Sequence, residues 1–520
     1  MKNTDRSYRS LSRTIIALAL VLLVVQCIDY INFTVDDVFI SLRIAVNGAA
    51  GHGFVYNPGD IVEGHSDPLW VGMLSLVVRS GVINMRDPLS LVWAARALSV
   101  VFGFSTIAAV YILAKRIFID SQARSLYASL TVLALVVCSA FVLWTVGALE
   151  MTLVALCYSV VAIVLYDLFD KPDTSGVSKS FAIGLAFAFA SLTRPEPPIV
   201  AAVIFIYLLY TLPKKKQFII LCIVPYIIIM IGFEWWRWGT YHDLLPNTFY
   251  AKTGGGIASI GMGLKYTFEC IGGIGSVLLV FIPLAFNTDE KLKKIRMAML
   301  LMIGAVLFFS IYSSGDWMPG FRFFIPIAPL IVLLEVMGLK NVLTRFLQRD
   351  TILFNPKNLL VAVVLISLST VLMMRVLLHS QLQLAAGGFP TGFKSMPGIS
   401  TIDHKDEADW LRAHSKPGDL FATGEAGLIG YLNPDLVLLD LQGLMDKKIA
   451  HDRKIGASFD RDYVFVRAPR FVFINRSREA ITTNDFYTQL YNDPRFIEQY
   501  EKAEHIGTTD IFIRRDSTLR

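Results

Sequence analysis

Two adjacent carboxylates, Asp36 and Asp37, follow closely on an apolar stretch that runs from Thr14 to Ile31. Ionisable side chains are rare near the hydrocarbon of a membrane, and where they occur they tend to mark functional sites. A carboxylate in such a place can act as a general base that takes the proton of an attacking hydroxyl. We therefore predict that this pair is catalytic, with Asp36 as the base.

The residues around the two acids separate their roles. Thr34 fits the N-cap of a helix that starts at the next residue, with Asp37 at its third position, so Asp37 suits a structural capping role equally well. Asp36 has no such explanation. On that helix Arg43 and Asn47 share a face with Asp36, and a cation so close to a carboxylate keeps it ionised.

The loop from Gly48 to Trp70 is rich in glycine, proline and hydrogen-bonding side chains. The glycines and prolines indicate tight turns. The polar side chains suit a polyhydroxyl ligand, although a solvated loop explains any one of them as well. The candidate substrate-binding residues here, in addition to Arg43, are His52, Tyr56, Asn57, Glu63 and His65.

Cations in later loops lie next to apolar segments. Arginine and lysine at a membrane interface bind anionic headgroups, and the alternative is that a long side chain merely reaches the interface. The candidate ligands of a phosphate group are Arg194, Arg237, His242, Lys252 and Arg322. We favour Arg322 and Lys252, because each lies in a motif bounded by glycine or proline.

Four other residues of these loops are candidate substrate ligands: Asp243, Asn247, Asp316 and Trp317. An aromatic belt at the membrane surface explains Trp317 as well, and an Asx turn explains Asp243. An aromatic belt does not explain a carboxylate, so Asp316 is a better candidate substrate ligand than Trp317.

The composition indicates a polytopic membrane protein. Hydrophobic residues make up 54% of the 520 residues and charged residues 17%, against about 25% charged in soluble domains. The net charge of +6 is not gathered into one patch, so a nucleic-acid partner is not expected. The five cysteines lie in apolar or interfacial stretches without the spacing of a metal site or a disulfide.

Lysine and arginine clusters recur at alternate loops, which is the positive-inside pattern. This pattern places the N-terminus in the cytoplasm and Asp36 and Asp37 outside. About eleven spans of roughly 20 apolar residues are expected, and an odd number places the C-terminus outside too. The predicted spans are 13–31, 91–114, 124–144, 150–168, 180–194, 198–213, 217–236, 262–286, 295–312, 323–340 and 357–379. Residues 69–78 are too short to span and are predicted to form an interfacial helix.

The C-terminal residues have a different pattern. Helical patterns alternate with β-like runs, which predicts a small α/β domain. The helices are expected at 403–414 and 482–491, and the strands at 436–441, 470–474 and 509–514. The chain is therefore predicted to comprise a transmembrane catalytic domain, residues 1–380, with a first outer loop at 32–90, and an extracytoplasmic domain, residues 381–520.

Several long motifs resemble the terminal arabinofuranosyltransferases of mycobacterial cell walls and their bacterial relatives, which are polytopic glycosyltransferases of the GT-C type. The first motif, DDVFISLRIAVNGAAGHGFVYNPGDIVEGHSDPLW, starts at Asp36. The others are SLTRPE at 191–196, YHDLLPNTFYAK at 241–252, GDWMPGFRFFIP at 315–326 and LDLQGLMD at 439–446. The resemblance covers nearly the whole chain and implies a helical GT-C bundle with an extracytoplasmic α/β domain.

The same resemblance implies an activity. A sugar, arabinofuranose in the named relatives, passes from a polyprenyl-phosphate donor to a glycan, glycolipid or protein on the outer face of the bacterial inner membrane. The catalytic group of the family is an acid of the first outer loop, which matches Asp36 and Asp37 here. In some members the second acid binds a divalent metal, so Mg²⁺ or Mn²⁺ is a candidate cofactor. Glu425 departs from the family pattern, because relatives commonly have Asp there.

Two other classes of protein also fit a polytopic chain. A transporter would place its binding charges near the middle of the bilayer on broken helices, whereas the charges here lie at span ends. A non-catalytic envelope assembly protein would use the outer domain for binding and would tolerate the loss of both acids.

Overall fold

A computed structural model describes residues 2–121, 123–170, 177–212, 216–252, 256–273, 282, 283, 285, 292–347, 361, 363–374, 401–452, 461–475 and 486–515. By its contacts the chain divides into two units. The first unit comprises Met1–Phe33, Ala95–Phe233 and Ser259–Gln383. The second unit comprises Thr34–Ala94, Glu234–Ala258 and Leu384–Arg520. The predicted domain boundary at residue 380 lies outside the described residues.

The described residues are mainly helical. The helices are α1 (Lys2–Tyr30), α2 (Asp37–Ala50), α3 (Pro68–Arg79), α4 (Leu89–Ile117), α5 (Arg124–Val137), α6 (Ser139–Thr145), α7 (Met151–Asp170), α8 (Val177–Ser191), α9 (Pro197–Thr211), α10 (Lys216–Tyr241), α11 (Asn247–Lys252), α12 (Gly256–Gly273), α13 (Lys293–Tyr312), α14 (Ala328–Leu347), α15 (Val363–Met374), α16 (Thr401–His414), α17 (Gly427–Leu432), α18 (Lys447–Asp452), α19 (Arg461–Arg467), α20 (Phe486–Tyr491) and α21 (Pro494–Gln499). A 3₁₀ helix, Arg322–Ile327, precedes α14.

The chain is a multi-pass membrane protein, as its composition predicts. Among the described residues, six helical segments are long and apolar enough to cross a membrane. These segments are Tyr8–Tyr30, α4, α7, α10, α13 and Arg322–Leu343. The pair α5 and α6, bent by 71°, adds a seventh if it is one broken span. The count of eleven stays a prediction, because α8, α9 and α15 are shorter and the span at 262–286 runs beyond the described residues.

Small residues bring helices of the first unit close together. A Cβ on Gly184 of α8 would lie 2.3 Å from the carbonyl oxygen of Cys222 on α10. Close backbone approach of this kind is common between helices in membranes, where dispersion rather than the hydrophobic effect favours association.

The second unit contains a five-stranded sheet with the order β2-β1-β3-β5-β4. Its strands are β1 (Leu420–Thr423), β2 (Val437–Asp440), β3 (Phe471–Asn475), β4 (Tyr500–Ile506) and β5 (Thr509–Arg514). Strands β2, β1 and β3 are parallel, and β5 and β4 are antiparallel. Buried side chains such as Leu439, Val472 and Phe512 form its core. The predicted α/β domain is confirmed, although the pattern did not indicate β1 or β4.

Two segments from earlier in the chain belong to the same unit as this sheet. One is the pair α2 and α3 with the loop between them, and the other is the end of α10 with α11. The helix predicted at 69–78 is α3, which starts at Pro68, a favourable first position because proline lacks the N–H that a helix start leaves unpaired. Its location at the membrane interface stays a prediction.

Candidate functional site

Asp36 directly precedes α2, but its carboxylate bonds to residues of the C-terminal domain. Oδ2 accepts the backbone N–H of Gly427 at 2.8 Å, and Oδ1 accepts that of Leu428 at 2.9 Å. Both amides belong to the first turn of α17, where helical N–H groups have no partner inside the helix. A Cβ on Gly427 would lie 2.1 Å from the main-chain oxygen of Asp36, so this contact requires glycine. Asp36 therefore caps α17.

His404 of α16 completes the surroundings of this carboxylate. Its Nδ1 lies 3.3 Å from Oδ1 of Asp36, and only 1% of His404 and 5% of Asp36 is exposed. Burial opposes charge on His404, but the hydrogen bond that His404 donates to Asp36 and the charges of Glu407, Asp36 and Glu425 outweigh it and raise the pKa of His404 to about 10. Burial likewise opposes charge on Asp36, and bonds from His404 and the two amides lower its pKa nonetheless. The two side chains form an ion pair at neutral pH.

The start of α2 differs from the prediction. The helix begins at Asp37, with Asp36 at the N-cap position, so the assignment of Thr34 as N-cap is wrong. The residues before Asp37 form a turn, with an N–H of Val38 bonded to Val35 at 3.1 Å. The Asp36 side chain makes no cap bond to α2, because its oxygens already accept the amides of α17. Asp37 is partly exposed, whereas Asp36 is buried.

Arg43 on α2 donates hydrogen bonds to main-chain carbonyls in and near α17. Its Nε donates to the carbonyl of Tyr56 at 3.0 Å and its Nη2 to that of Leu436 at 2.8 Å, while Nη1 donates to that of Gly430. Its guanidinium also lies 4.3 Å from the centre of the Tyr56 ring. The helical spacing correctly places Asp36 and Arg43 toward one neighbour, α17. The cation bonded to Asp36, however, is His404.

Tyr56 and Asn57 also have partners within the chain. The Tyr56 hydroxyl donates to the carbonyl of Ala426. The Asn57 amide pairs with the main chain of Leu438 on β2, accepting its N–H at 3.0 Å and donating to its carbonyl at 2.9 Å. These two predicted sugar ligands therefore join the loop between α2 and α3 to α17 and the sheet. Asn47 supports them by donating to the carbonyls of Val55 and Tyr56, both at 2.9 Å.

Glu63 and Arg237 form a buried ion pair, with Nε 2.7 Å from Oε2. Arg237 also binds Glu234 at 2.5 Å. Burial raises the pKa of Glu63 to about 7 against the opposing charge of Arg237. The neighbouring His65 is buried, and its Nδ1 has no hydrogen-bond partner among the described residues. Burial and the charge of Arg237 lower the pKa of His65 to about 3, so this imidazole is neutral.

The segment around α11 binds the loop that follows β2. The Asn247 amide donates to the carbonyls of Gly443 at 2.8 Å and Leu444 at 2.9 Å. Asp243 pairs with Lys447 at 2.5 Å. The loops after β1 and β2 lie at the carboxyl edge of the parallel strands, which is where open α/β sheets bind ligands. Here that edge binds earlier segments of the same chain.

Three predicted ligands in the second unit have exposed side chains: His52, His242 and Lys252. None of these side chains forms a hydrogen bond or an ion pair with another described residue. His242 has a left-handed backbone, with φ of 56°, at the turn after α10. The charge of Lys252 is therefore open to a ligand, unlike that of Arg43 or Arg237.

The other four predicted ligands lie in the first unit, where Arg322 and Arg194 are both paired. Arg322 binds Asp316 through two bonds, Nε to Oδ2 at 2.8 Å and Nη2 to Oδ1 at 3.0 Å. Arg194 binds Glu150 at 2.9 Å and also Glu196. Both guanidinium groups lie against the ring of Phe323, at 5.6 Å for Arg322 and 5.2 Å for Arg194.

These residues of the first unit form what we call the arginine cluster: Glu150, Arg194, Glu196, Asp316, Arg322 and Phe323. It has three carboxylates and two guanidinium groups, so its formal charge is −1. A phosphate that binds Arg322 through Nε and Nη2 must displace Asp316 from these two donors. Trp317, next to Asp316, is 56% exposed.

The surroundings of Asp36 do not fit a divalent metal. Its oxygens accept two amide N–H groups and face a protonated imidazole, so a metal would displace these donors and meet a second positive charge. No group of three or more His, Cys, Asp or Glu side chains in the described part of the chain has the arrangement of a metal site.

Sequence reasoning missed the partners of its own candidates. His404 and the first turn of α17 lie far along the chain from Asp36, and a single histidine in a charged helix gives no signal. Glu150 and Glu196 flank apolar segments in the same way as Asp36, so the argument used for Asp36 could have found them.

Comparison with known proteins shows the fold. Residues 400–519 match a family described as "Domain of unknown function (DUF8728)", and no curated protein matches the chain. Over 97% of this chain and 98% of the other, the structure is similar to ArnT from Cupriavidus metallidurans bound to undecaprenyl phosphate, with a TM-score of 0.58 and 15% identity. For the same protein in the apo state the shares are 96% and 97%, the TM-score is 0.57 and the identity 15%. The predicted helical GT-C-type bundle with a small C-terminal sheet domain is therefore confirmed.

Proposed function

We propose that this chain is a glycosyltransferase that moves a sugar from a polyprenyl-phosphate donor to an acceptor outside the cytoplasm. The observation that carries the proposal is the similarity, over 97% of the chain, to a structure of ArnT bound to undecaprenyl phosphate, which is a polyprenyl phosphate. The motifs that resemble arabinofuranosyltransferases favour arabinofuranose as the sugar and a glycan of the cell envelope as the acceptor. The reaction then takes place on the outer face of the bacterial inner membrane.

The proposed reaction needs a base. The acceptor oxygen attacks the anomeric carbon, the bond from that carbon to the phosphate oxygen breaks, and the polyprenyl phosphate leaves with the electron pair. The hydroxyl proton passes to a carboxylate. Asp37 suits this role better than Asp36, because Asp37 is partly exposed while the oxygens of Asp36 already accept two amides and face His404.

The leaving phosphate needs cations that stabilise its developing charge. The exposed side chains of Lys252 and His242 support a phosphate contact from the second unit. Arg322 suits bidentate binding of phosphate if Asp316 releases it. Arg194 and Arg237 each hold two carboxylates and are weaker candidates.

Transfer is tested with the purified chain in nanodiscs, a radiolabelled polyprenyl-phosphate arabinofuranose and an envelope glycan acceptor. The wild-type chain should form labelled glycan. Asp37→Asn should lower the rate about 10²- to 10⁴-fold, the usual cost of losing a general base, while its melting temperature stays unchanged. The exposed Asp435→Asn is the matched control and should transfer normally.

Two results would change this proposal. Normal turnover in Asp37→Asn, together with an inactive but stable Asp36→Asn, would return the base role to Asp36. A wild-type chain that transfers no sugar from any polyprenyl-phosphate donor would leave the transporter and the envelope assembly protein as the remaining classes.

A further inference from the structure

The contacts of Asp36 join the C-terminal domain to the residue that precedes α2. We call the Asp36 carboxylate, the His404 imidazole and the amides of Gly427 and Leu428 the acid latch. All three donors of the acid latch come from residues 400–519, the part of the chain that matches a domain of unknown function. Asp36 and its donors belong to the same unit.

The acid latch fixes the main chain at one point. Asp36 is held through both carboxylate oxygens, and its main-chain oxygen packs on Gly427 at a distance that excludes a side chain there. Asp37 is the next residue and the first of α2. Because consecutive Cα atoms are only about 3.8 Å apart, a shift of the main chain at Asp36 also shifts the Cα atom that carries the Asp37 side chain.

The three donors of the acid latch are not equivalent. The amides of Gly427 and Leu428 are main-chain groups that every residue except proline would provide. Among these three donors, His404 is the one that donates from a side chain. It is buried, and its imidazole and the amide of Leu428 both bond to Oδ1 of Asp36. Removing the donor of His404 leaves the Asp36 carboxylate with its two amide donors but without its charged partner, so two bonds rather than three fix its orientation.

We propose that His404 is a positioning residue of the transfer reaction: through Asp36 it holds the Asp37 carboxylate in the orientation that accepts the acceptor proton. The inference rests on the proposed function. Under this inference the C-terminal domain orients the catalytic acid. Neither the sheet of the domain nor its sequence indicates such a role. Groups that orient a reacting residue in this way typically change activity about 10- to 100-fold when removed.

The test compares His404→Leu with His404→Asn in the full-length chain. The Nδ2 of asparagine can donate from nearly the position of the histidine Nδ1, whereas leucine fills the space without a donor. We expect kcat to fall about 10- to 100-fold in His404→Leu, with an unchanged KM for the donor, and to recover largely in His404→Asn. His414→Leu, an exposed histidine on the same helix, is the matched control and should keep the wild-type kcat.

A double variant tests whether His404 acts through Asp36. If it does, adding His404→Leu to Asp36→Asn should lower kcat little further, because coupled residues give non-additive losses. Hydrogen exchange at the amides of Gly427 and Leu428 reports on the acid latch without relying on activity. Both amides should exchange faster in Asp36→Asn than in the wild-type chain.

The outcomes separate this inference from the proposed function. A wild-type chain that transfers no sugar overturns the proposed function, and the inference falls with it. Wild-type transfer with an unchanged kcat in His404→Leu overturns the inference alone. So does a lower kcat that His404→Asn fails to recover, because the loss would then follow from the altered fold rather than from the missing donor.

Discussion

Two sets of buried charges in the molecule have different kinds of partner. In the second unit the charges of Asp36 and Arg43 meet mainly main-chain amides and carbonyls. In the first unit Arg194 and Arg322 meet carboxylate side chains. A main-chain partner cannot leave without unfolding the segment that carries it, whereas a side chain can rotate away and be replaced by another anion. The charges of Asp36 and Arg43 therefore serve the fold, and those of the arginine cluster can be exchanged for a ligand.

The largest effect is expected where a charge holds main-chain groups. Arg43→Ala leaves several buried carbonyl groups without a donor, and each bond to a charged group is worth roughly 1.5–3 kcal/mol. We expect the free energy of unfolding of the second unit to fall by about 3 kcal/mol or more. Chemical denaturation followed by the fluorescence of Trp410 measures it, and Arg86→Ala, an exposed arginine, is the control. If Arg43→Ala lowers the free energy of unfolding no more than Arg86→Ala does, the distinction between main-chain and side-chain partners is contradicted.

An intermediate effect is expected in the arginine cluster, and on binding rather than stability. Arg322→Lys should keep the charge but lose the bidentate geometry, which should raise the Kd for a polyprenyl-phosphate donor on the order of 10- to 100-fold. Asp316→Asn should lower that Kd, because the phosphate no longer competes with a carboxylate. Binding is measured directly with a fluorescent donor analogue.

Two outcomes of the binding measurement would contradict this prediction for the arginine cluster. If Asp316→Asn also weakens donor binding, Asp316 orients Arg322 instead of competing for it. If neither variant changes the Kd for the donor, the arginine cluster stabilises the fold, as the contacts of Arg43 do, and does not bind phosphate. Lys252 is then the next phosphate ligand to test.

The smallest effect, taken over a single pH unit, is a pH dependence of the ion pair between Asp36 and His404. Asp36, Glu407 and Glu425 raise the pKa of His404 from 6.5 to about 10, so the folded chain keeps a proton that the unfolded chain releases in this range. The stability contributed by the proton on His404 is complete below pH 6.5 and is lost as the pH rises toward 10. The loss cannot exceed about 1.4 kcal/mol per pH unit.

The melting temperature of the wild-type chain should therefore fall more steeply between pH 7 and pH 10 than that of His404→Asn, which has no proton to lose there. Other titrating groups are common to both chains, so the difference between the two curves isolates His404. Parallel curves would show that His404 is not protonated in the folded chain.

The fold could be predicted largely from the sequence, because span length and hydrophobic period are local properties. The helices α4, α7, α10 and α13 lie close to their predicted positions, as do β2, β3 and β5. The site was harder to predict. Hydropathy and spacing correctly marked Asp36, Arg43 and Arg322 as unusual charges, but they carry no information on what neutralises them. Those partners lie at long sequence separations, such as the 391 residues between Asp36 and Gly427.

The same separation has a consequence for biosynthesis. A ribosome completes α2 long before it reaches α17, so Asp36 and Arg43 lack these partners until most of the chain has been made. Contacts over such distances form late and slowly. We therefore expect a chain truncated before α16 to leave α2 and the loop after it without the main-chain groups that Asp36, Arg43 and Asn57 bind.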